Sequence, residues 1–321
     1  MGGPCAPRAV GGTSLGWPRA ERPAHLVARR EAVLCPREGS PLWLGLALLA
    51  AAFAPFAARA QHWAPNITTT ATWQSNATNA DRDTDILAAV QLHSAFAVAR
   101  RFALGGSDAL RLGGQLTAEA WPRYDGLDRG AVGIRAGWTH KFGLGALAPT
   151  LALELAGDAF GARENGRAGR AGSATVLLQQ RLDDNWRLAL AYERARYDAR
   201  QHAFDRTGEE TSARADYDFD ARWRLSATAR LRHGGVLSYA TPPRPDLLAA
   251  GKALTTVTTF DRNRPMVAYY FIARTVSGEA ALSRALDEAT ALNFAYEYRE
   301  TEKGAIRYVN HLVSLGVTRQ F

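Results

Sequence analysis

The sequence predicts an all-β chain: an antiparallel transmembrane β-barrel of twelve strands that follows a cleaved signal peptide. Three observations carry this reading. From Asn66 onward, apolar and polar residues alternate over stretches of roughly ten positions, the period of a strand with two unlike faces. The stretches break at Gly, Asp, Asn or Pro, which are turn residues. The long apolar run of the chain lies near its start, between Pro41 and Ala58, so nothing later could cross a bilayer as a helix.

The leader comes first. Leu42 to Ala52 is nearly unbroken apolar sequence, with Arg29, Arg30 and Arg37 before it and Ala58-Arg59-Ala60 after it. A basic stretch, an apolar core and small residues spaced A-x-A make a signal peptide, with cleavage expected at Ala58 and Ala60, before Gln61. Pro55 interrupts the run and argues against a permanent anchor helix. Residues 1–60 are therefore read as an N-terminal extension with a signal peptide, and 61–321 as the barrel. Residues before about Val27 read as dispensable, which fits a translation start downstream of Met1.

Both cysteines, Cys5 and Cys35, precede the cut, so the mature chain is expected to form no disulfide and to use no thiolate. Cys35 also precedes the apolar run, the wrong side for a lipid anchor. Removing residues 1–60 takes away seven Arg and three Glu, leaving 32 basic and 28 acidic residues, so the net charge falls from +8 to +4. No basic tract with interleaved aromatics points to nucleic acid.

Twelve strands are expected, at 66–76, 86–102, 109–124, 130–142, 150–160, 170–182, 186–198, 208–219, 222–235, 267–286, 290–301 and 305–321. The clearest runs from Trp223 to Arg232. Trp223, Leu225, Ala227, Ala229 and Leu231 share one face, and Arg224, Ser226, Thr228, Arg230 and Arg232 the other. The connections at 105–108, 183–185 and 287–289 are tight, as in periplasmic turns, while 77–85, 161–169, 200–207 and 236–266 are longer and read as extracellular loops. Such strands could also build a soluble sandwich. Their number, length and alternation of short and long connections favour a barrel, which must close because an open sheet edge in lipid strands unpaired backbone groups at several kcal/mol each.

The chain ends with Val313, Leu315, Val317 and Phe321 at alternate positions, interrupted by Arg319 where an apolar residue is commoner. This ending resembles the C-terminal strand of bacterial outer-membrane β-barrel proteins. The resemblance is to the general class and spans about residues 61–321. It implies an assembly signal in Val313, Leu315, Val317 and Phe321, residence in the outer membrane among its lipids, and passage by periplasmic chaperones to the barrel-insertion machinery.

With the apolar face toward lipid, the interior receives Arg187, Arg214, Arg224, Arg230, Arg232 and Arg299 against Asp216, Asp218 and Glu297, with further charges at Arg111, Arg135, Lys141, Arg181, Glu119, Glu154, Asp158, Glu193 and Glu279. Lumen charges commonly pair with one another. Arg224, Arg230 and Arg232 look hard to neutralise with Asp216 and Asp218 alone, which makes the ninth strand a candidate anion-attracting stripe. Aromatics near strand ends, among them Trp73, Trp121, Trp138, Trp186, Trp223, Tyr124, Tyr197 and Tyr298, read as interfacial belts, and Trp121 and Tyr308 keep open an aromatic track inside.

Enzymatic signals are weak. One twelve-stranded outer-membrane class is a phospholipase with Ser and His, but His93 and Ser94 are strand neighbours and point apart, as do His311 and Ser314. No metal spacing, phosphate loop or dinucleotide fingerprint is present, so no cofactor is expected. The expected function is a narrow passive channel for small polar or anionic solutes, acting as a monomer. Its alternative is a non-conducting structural or surface barrel, including a component of envelope or polysaccharide export, and a lipid hydrolase ranks last.

Overall fold

The computed structural model describes residues 63–260 and 265–321, so the cleavage residues Ala58, Ala60 and Gln61 lie outside the described residues. Its strands are β1 (Trp63–Gln74), β2 (Ala89–Ala103), β3 (Asp108–Ala120), β4 (Arg129–Lys141), β5 (Thr150–Ala162), β6 (Gly169–Arg181), β7 (Trp186–Ala199), β8 (Arg206–Asp218), β9 (Trp223–Ala240), β10 (Ala253–Val257), β11 (Met266–Ala285), β12 (Thr290–Lys303) and β13 (Ile306–Gln320), with a short helix α1 (Pro245–Ala250) before β10. All but β10 form a closed antiparallel barrel of twelve strands. β13 returns to β1, from Asn66 opposite Gln320 to Gln74 opposite Leu312, and β9 pairs with β11 from Trp223–Arg284 to Ala240–Val267. β10 lies on the other edge of β11, beyond the end of β12. Among the described residues no helix is long and apolar enough to cross a membrane.

Sequence explains both ends of the barrel. Three turns open with an apolar residue followed by Asp. Asp183 accepts from Asn185 N and Trp186 N, Asp220 from Arg222 N and Trp223 N, and Asp287 from Ala289 N and Thr290 N, at 2.6 to 2.9 Å. An Asp carboxylate that caps the backbone two and three residues on fixes a tight turn. This turn end carries both termini of the barrel. The loop end carries the connections 75–88, 121–128, 163–168, 200–205, 241–265 and 304–305. Two connections reverse the expected contrast. The last is a two-residue hairpin in which Gly304 takes φ +59°, a conformation glycine adopts without penalty, and the turn at 142–149 is longer than its counterparts.

Alternation divides the faces. Ile134 (73% exposed), Leu155 (64%) and Leu190 point outward, an arrangement that is stable only where lipid covers them. Outward aromatics cluster toward the turn end, where Trp186 meets Tyr217 with ring centroids 4.9 Å apart and planes tilted by 51°, and Tyr217 meets Phe219 edge-on. Tyr192, Tyr296, Tyr298 and Trp73 sit higher on the outer wall. Tyr124 (3% exposed) and Tyr197 (9%), by contrast, are buried. They are not belt residues, because the loop-end core takes in Tyr124, while Tyr197 packs edge-on to Phe160 and its hydroxyl donates to the Arg167 carbonyl.

That core corrects the expected loop at 236–266. Val236 to Ala240 prolongs β9, which pairs all the way to Val267, and the segment beyond adds α1 and β10. Its two faces bury separate clusters. Leu237, Tyr239, Ala268 and Tyr270 pack with Tyr124, Leu127, Phe204 and Phe260, while Ala240, Leu247, Tyr269, Phe271 and Ala273 pack with Ile306 and Tyr308. The prolonged hairpin is thus covered on both sides.

Candidate functional site: the lumen and its cap

Because the strands tilt, a row of directly paired residues climbs around the wall. One row passes from Arg101 and Arg111 near the turn end, through Gly137, Glu154, Thr175, Glu193 and Glu210, to Arg232, Thr275, Thr301 and Tyr308 near the loop end. The strand alternation aims every one of these residues inward. The lumen is therefore lined by charge and hydroxyl from end to end.

The ninth strand is not a bare cationic stripe. Arg224 donates to Asp218 at 2.5 Å, and Arg214 to Asp216 at 2.7 Å and to Ser226 at 3.1 Å. Arg230 meets Glu279 at 2.9 Å, Glu210 at 3.8 Å and Glu297 at 4.0 Å, and Glu297 also binds Arg299 at 3.0 Å. Arg224 and Arg214 are neutralised by near neighbours in sequence, whereas the carboxylates around Arg230 come from β8, β11 and β12. Among the described residues, Arg187 sits across the ladder from Asp216 without an ion pair, and of the ninth-strand arginines Arg232 lacks a carboxylate partner. Thr228 is buried opposite Arg214. Elsewhere Arg135 pairs with Asp158 at 3.0 Å and Arg129 with Glu119 at 2.6 Å.

A group of unpaired cations stands at the turn end. A chamber of about 840 Å³ is lined by Arg101, Arg111, Lys141 and Arg181, with no carboxylate in its wall. Arg101, Arg111 and Lys141 have no ion pair among the described residues, and Arg181 reaches the turn residue Asp184, its carbonyl at 3.0 Å and its carboxylate at 4.0 Å. Arg101, Arg129, Arg206 and Glu210 were missed by the sequence reading although they obey the same alternation. Extending each inward register to the strand ends finds them.

The cap closes the other mouth. Asn79 donates to Leu237 O (3.0 Å) and Tyr239 N to Thr78 O (2.8 Å), tying the β9 extension to the first loop. Arg167 of the third loop donates to the Tyr239 hydroxyl (3.3 Å), and Thr259 donates to Glu164 (2.7 Å). Phe260 packs on Tyr124 of the second loop with ring centroids 5.0 Å apart. A segment rooted at β9 and β11 that touches the first, second and third loops lies across the mouth. Its latch is Arg244, whose fully buried side chain reaches Asp81 of the first loop at 2.8 Å and Asp246 at 2.6 Å. The hydrogen bonds from Arg244 hold the Asp246 carboxyl well below the usual range.

The histidines assemble no nucleophile. His93 faces inward and Ser94 outward, while His311 faces outward and Ser314 inward. Tyr308 lies on the inner register but is buried under the cap, and Trp121 packs at the edge of the loop-end core, so neither forms a track along the lumen. Among the described residues no group of three potential ligands could hold a metal.

A closed, even-stranded antiparallel barrel with an apolar outer wall and a charged interior is an outer-membrane β-barrel of the bacterial class, and the chain resides in that membrane. Among solved structures, an outer-membrane channel from Pseudomonas putida F1 is similar, with a TM-score of 0.57 at 9% identity over 81% of this chain and 96% of that one. The NanC porin follows with 0.44 at 6% identity over 79% and 100%, and the KdgM porin with 0.42 at 10% over 80% and 99%. At these identities the likeness to the P. putida channel is one of fold. No protein-family model and no curated protein matches the sequence.

Proposed function

We propose that the barrel is a narrow passive channel for small polar solutes, selective for anions. The observation that carries this reading is the turn-end chamber, where Arg101, Arg111 and Lys141 face the lumen with no ion pair among the described residues. A low-dielectric wall focuses the field of such charges and raises the local concentration of anions. The shared fold with an outer-membrane channel supports the reading. Assembly through Val313, Leu315, Val317 and Phe321 and action as a monomer belong to the same proposal, and no hydrolytic role is part of it.

The test is single-channel recording of the refolded chain from Gln61 across a salt gradient. Discrete steps with a reversal potential on the anion side are expected, and Arg111→Glu with Lys141→Glu should move that potential toward cations. Silence from correctly folded, heat-modifiable protein would sink the channel reading. It would favour the second one, a closed barrel acting through its outer surface, for which the cap across the loop mouth is the supporting observation.

A further inference from the structure

Beneath the cap the lumen keeps a second cavity, of about 320 Å³. Four guanidiniums line it, those of Arg206, Arg230, Arg232 and Arg299, against the two carboxylates of Glu210 and Glu297. Both carboxylates are engaged, Glu297 with Arg299 at 3.0 Å and Glu210 with Arg230 at 3.8 Å. Among the described residues, Arg206 and Arg232 are left without a carboxylate partner. Arg232 reaches only the Gly235 carbonyl, at 3.5 Å, and Arg206 lies against the Tyr197 ring at 5.2 Å. Arg129 and Arg167, of the same sign, act on Arg206 and make matters worse.

This cavity is built into the strands. Gly208 lies two residues from Arg206 on the same inward face, and a Cβ there would stand 3.2 Å from Arg232 Nε. A side chain at 208 would therefore crowd the guanidinium where it now lies. Guanidiniums held away from bulk water without a counter-ion are unfavourable, and their planar forks fit oxyanions in two-point contacts. The hydroxyls of Ser277, Thr301 and Tyr308 share the same cavity.

We infer that the cavity under the cap is a binding site for a small oxyanion that carries hydroxyl groups, with Arg206 and Arg232 on the anionic group and the hydroxyls of Ser277, Thr301 and Tyr308 on the rest. The site lies at the opposite end of the lumen from the turn-end chamber. Its occupancy does not depend on whether the barrel conducts.

The experiment is calorimetric titration of the folded full chain in detergent at low salt with inorganic phosphate, then glucuronate and glucose 6-phosphate. One site per barrel is expected, with both hydroxylated anions bound several-fold more tightly than phosphate. Binding should weaken at least tenfold in the Arg206→Gln/Arg232→Gln double variant. Unchanged binding in that variant would overturn the assignment, as would loss in Arg111→Gln instead, which would move the anion to the turn-end chamber. Equal affinities for the three anions would remove the hydroxyl half of the proposal. Should the double variant fail to fold, arginine modification by phenylglyoxal on the unaltered protein decides the matter, since phosphate should protect Arg206 and Arg232 and leave Arg101 reactive.

Discussion

Asp81 and Arg244 stand 163 residues apart in sequence, yet their contact joins the first loop to the cap. Asp81→Asn leaves the buried Arg244 guanidinium one carboxylate short, a loss worth about 1–3 kcal/mol. If the cap opens as a unit, protease cleavage within 241–265 should rise about tenfold or more, since cleavage follows the open population. The pH dependence has a definite sign. The Asp246 carboxyl is depressed in the folded protein by its bonds from Arg244, so its contribution is complete above the unfolded value near 3.9 and fades only as pH falls through the lower folded value. Cleavage should therefore be flat from pH 8 to pH 5, and a steep rise across that window would show that another group holds the cap. None of this was legible in the sequence, because loop residues have no period and Asp81 carries no mark of its distant partner. The same holds for Arg230, whose carboxylates Glu279 and Glu297 follow 49 and 67 positions later, so charges nearby in sequence were a poor guide to its neutralisation.

Strands were legible because period two is imposed by two solvents at once. Lipid selects Ile134 and Leu155 outside, water and ion pairs select Arg135 and Asp158 inside, and both selections act at every second residue. The reading failed where that pressure stops. β9 continues to Ala240 and β11 begins at Met266, beyond the membrane, where both faces of the hairpin are covered by protein and an apolar residue fits either one. Depth along an element sets the cost of a charge. Ile134 lies mid-strand on the lipid face, so Ile134→Arg should cost about 2–4 kcal/mol, and Leu225→Arg, closer to the Trp223 belt, should cost less. Thr175 faces the lumen directly between Glu154 and Glu193 on the neighbouring strands, and Thr175→Arg should be tolerated there. Urea or guanidinium titration of the three variants in lipid vesicles gives the order, and equal costs on both faces would undo the inside-out assignment. The terminal element makes a separate claim. Phe321 N donates to Pro65 O at 3.0 Å at the seam where β13 meets β1, so deletion of Phe321 should slow insertion, followed by heat-modifiability, far more than it changes the strand content of the assembled protein.

For the molecule as a whole, the two ends of the lumen behave differently: the turn end holds a cationic chamber with no carboxylate in its described wall, while the loop end is roofed by a hairpin with its own apolar core. If the barrel is a channel, the roof is the principal barrier and the turn end the filter. Gly234 and Ala273 are directly paired, so joining them through an Asn-Gly turn removes residues 235–272 while leaving a hairpin of permitted geometry. Conductance of this variant should exceed that of the intact protein severalfold, with the anion preference retained because Arg101, Arg111 and Lys141 are untouched. A rise in conductance with the preference lost would place the filter in the cap instead. An uncapped barrel that still passes no current would locate the block deeper, among the ion pairs of Arg230, Glu279 and Glu297 that span β9, β11 and β12, and would leave the barrel a closed one.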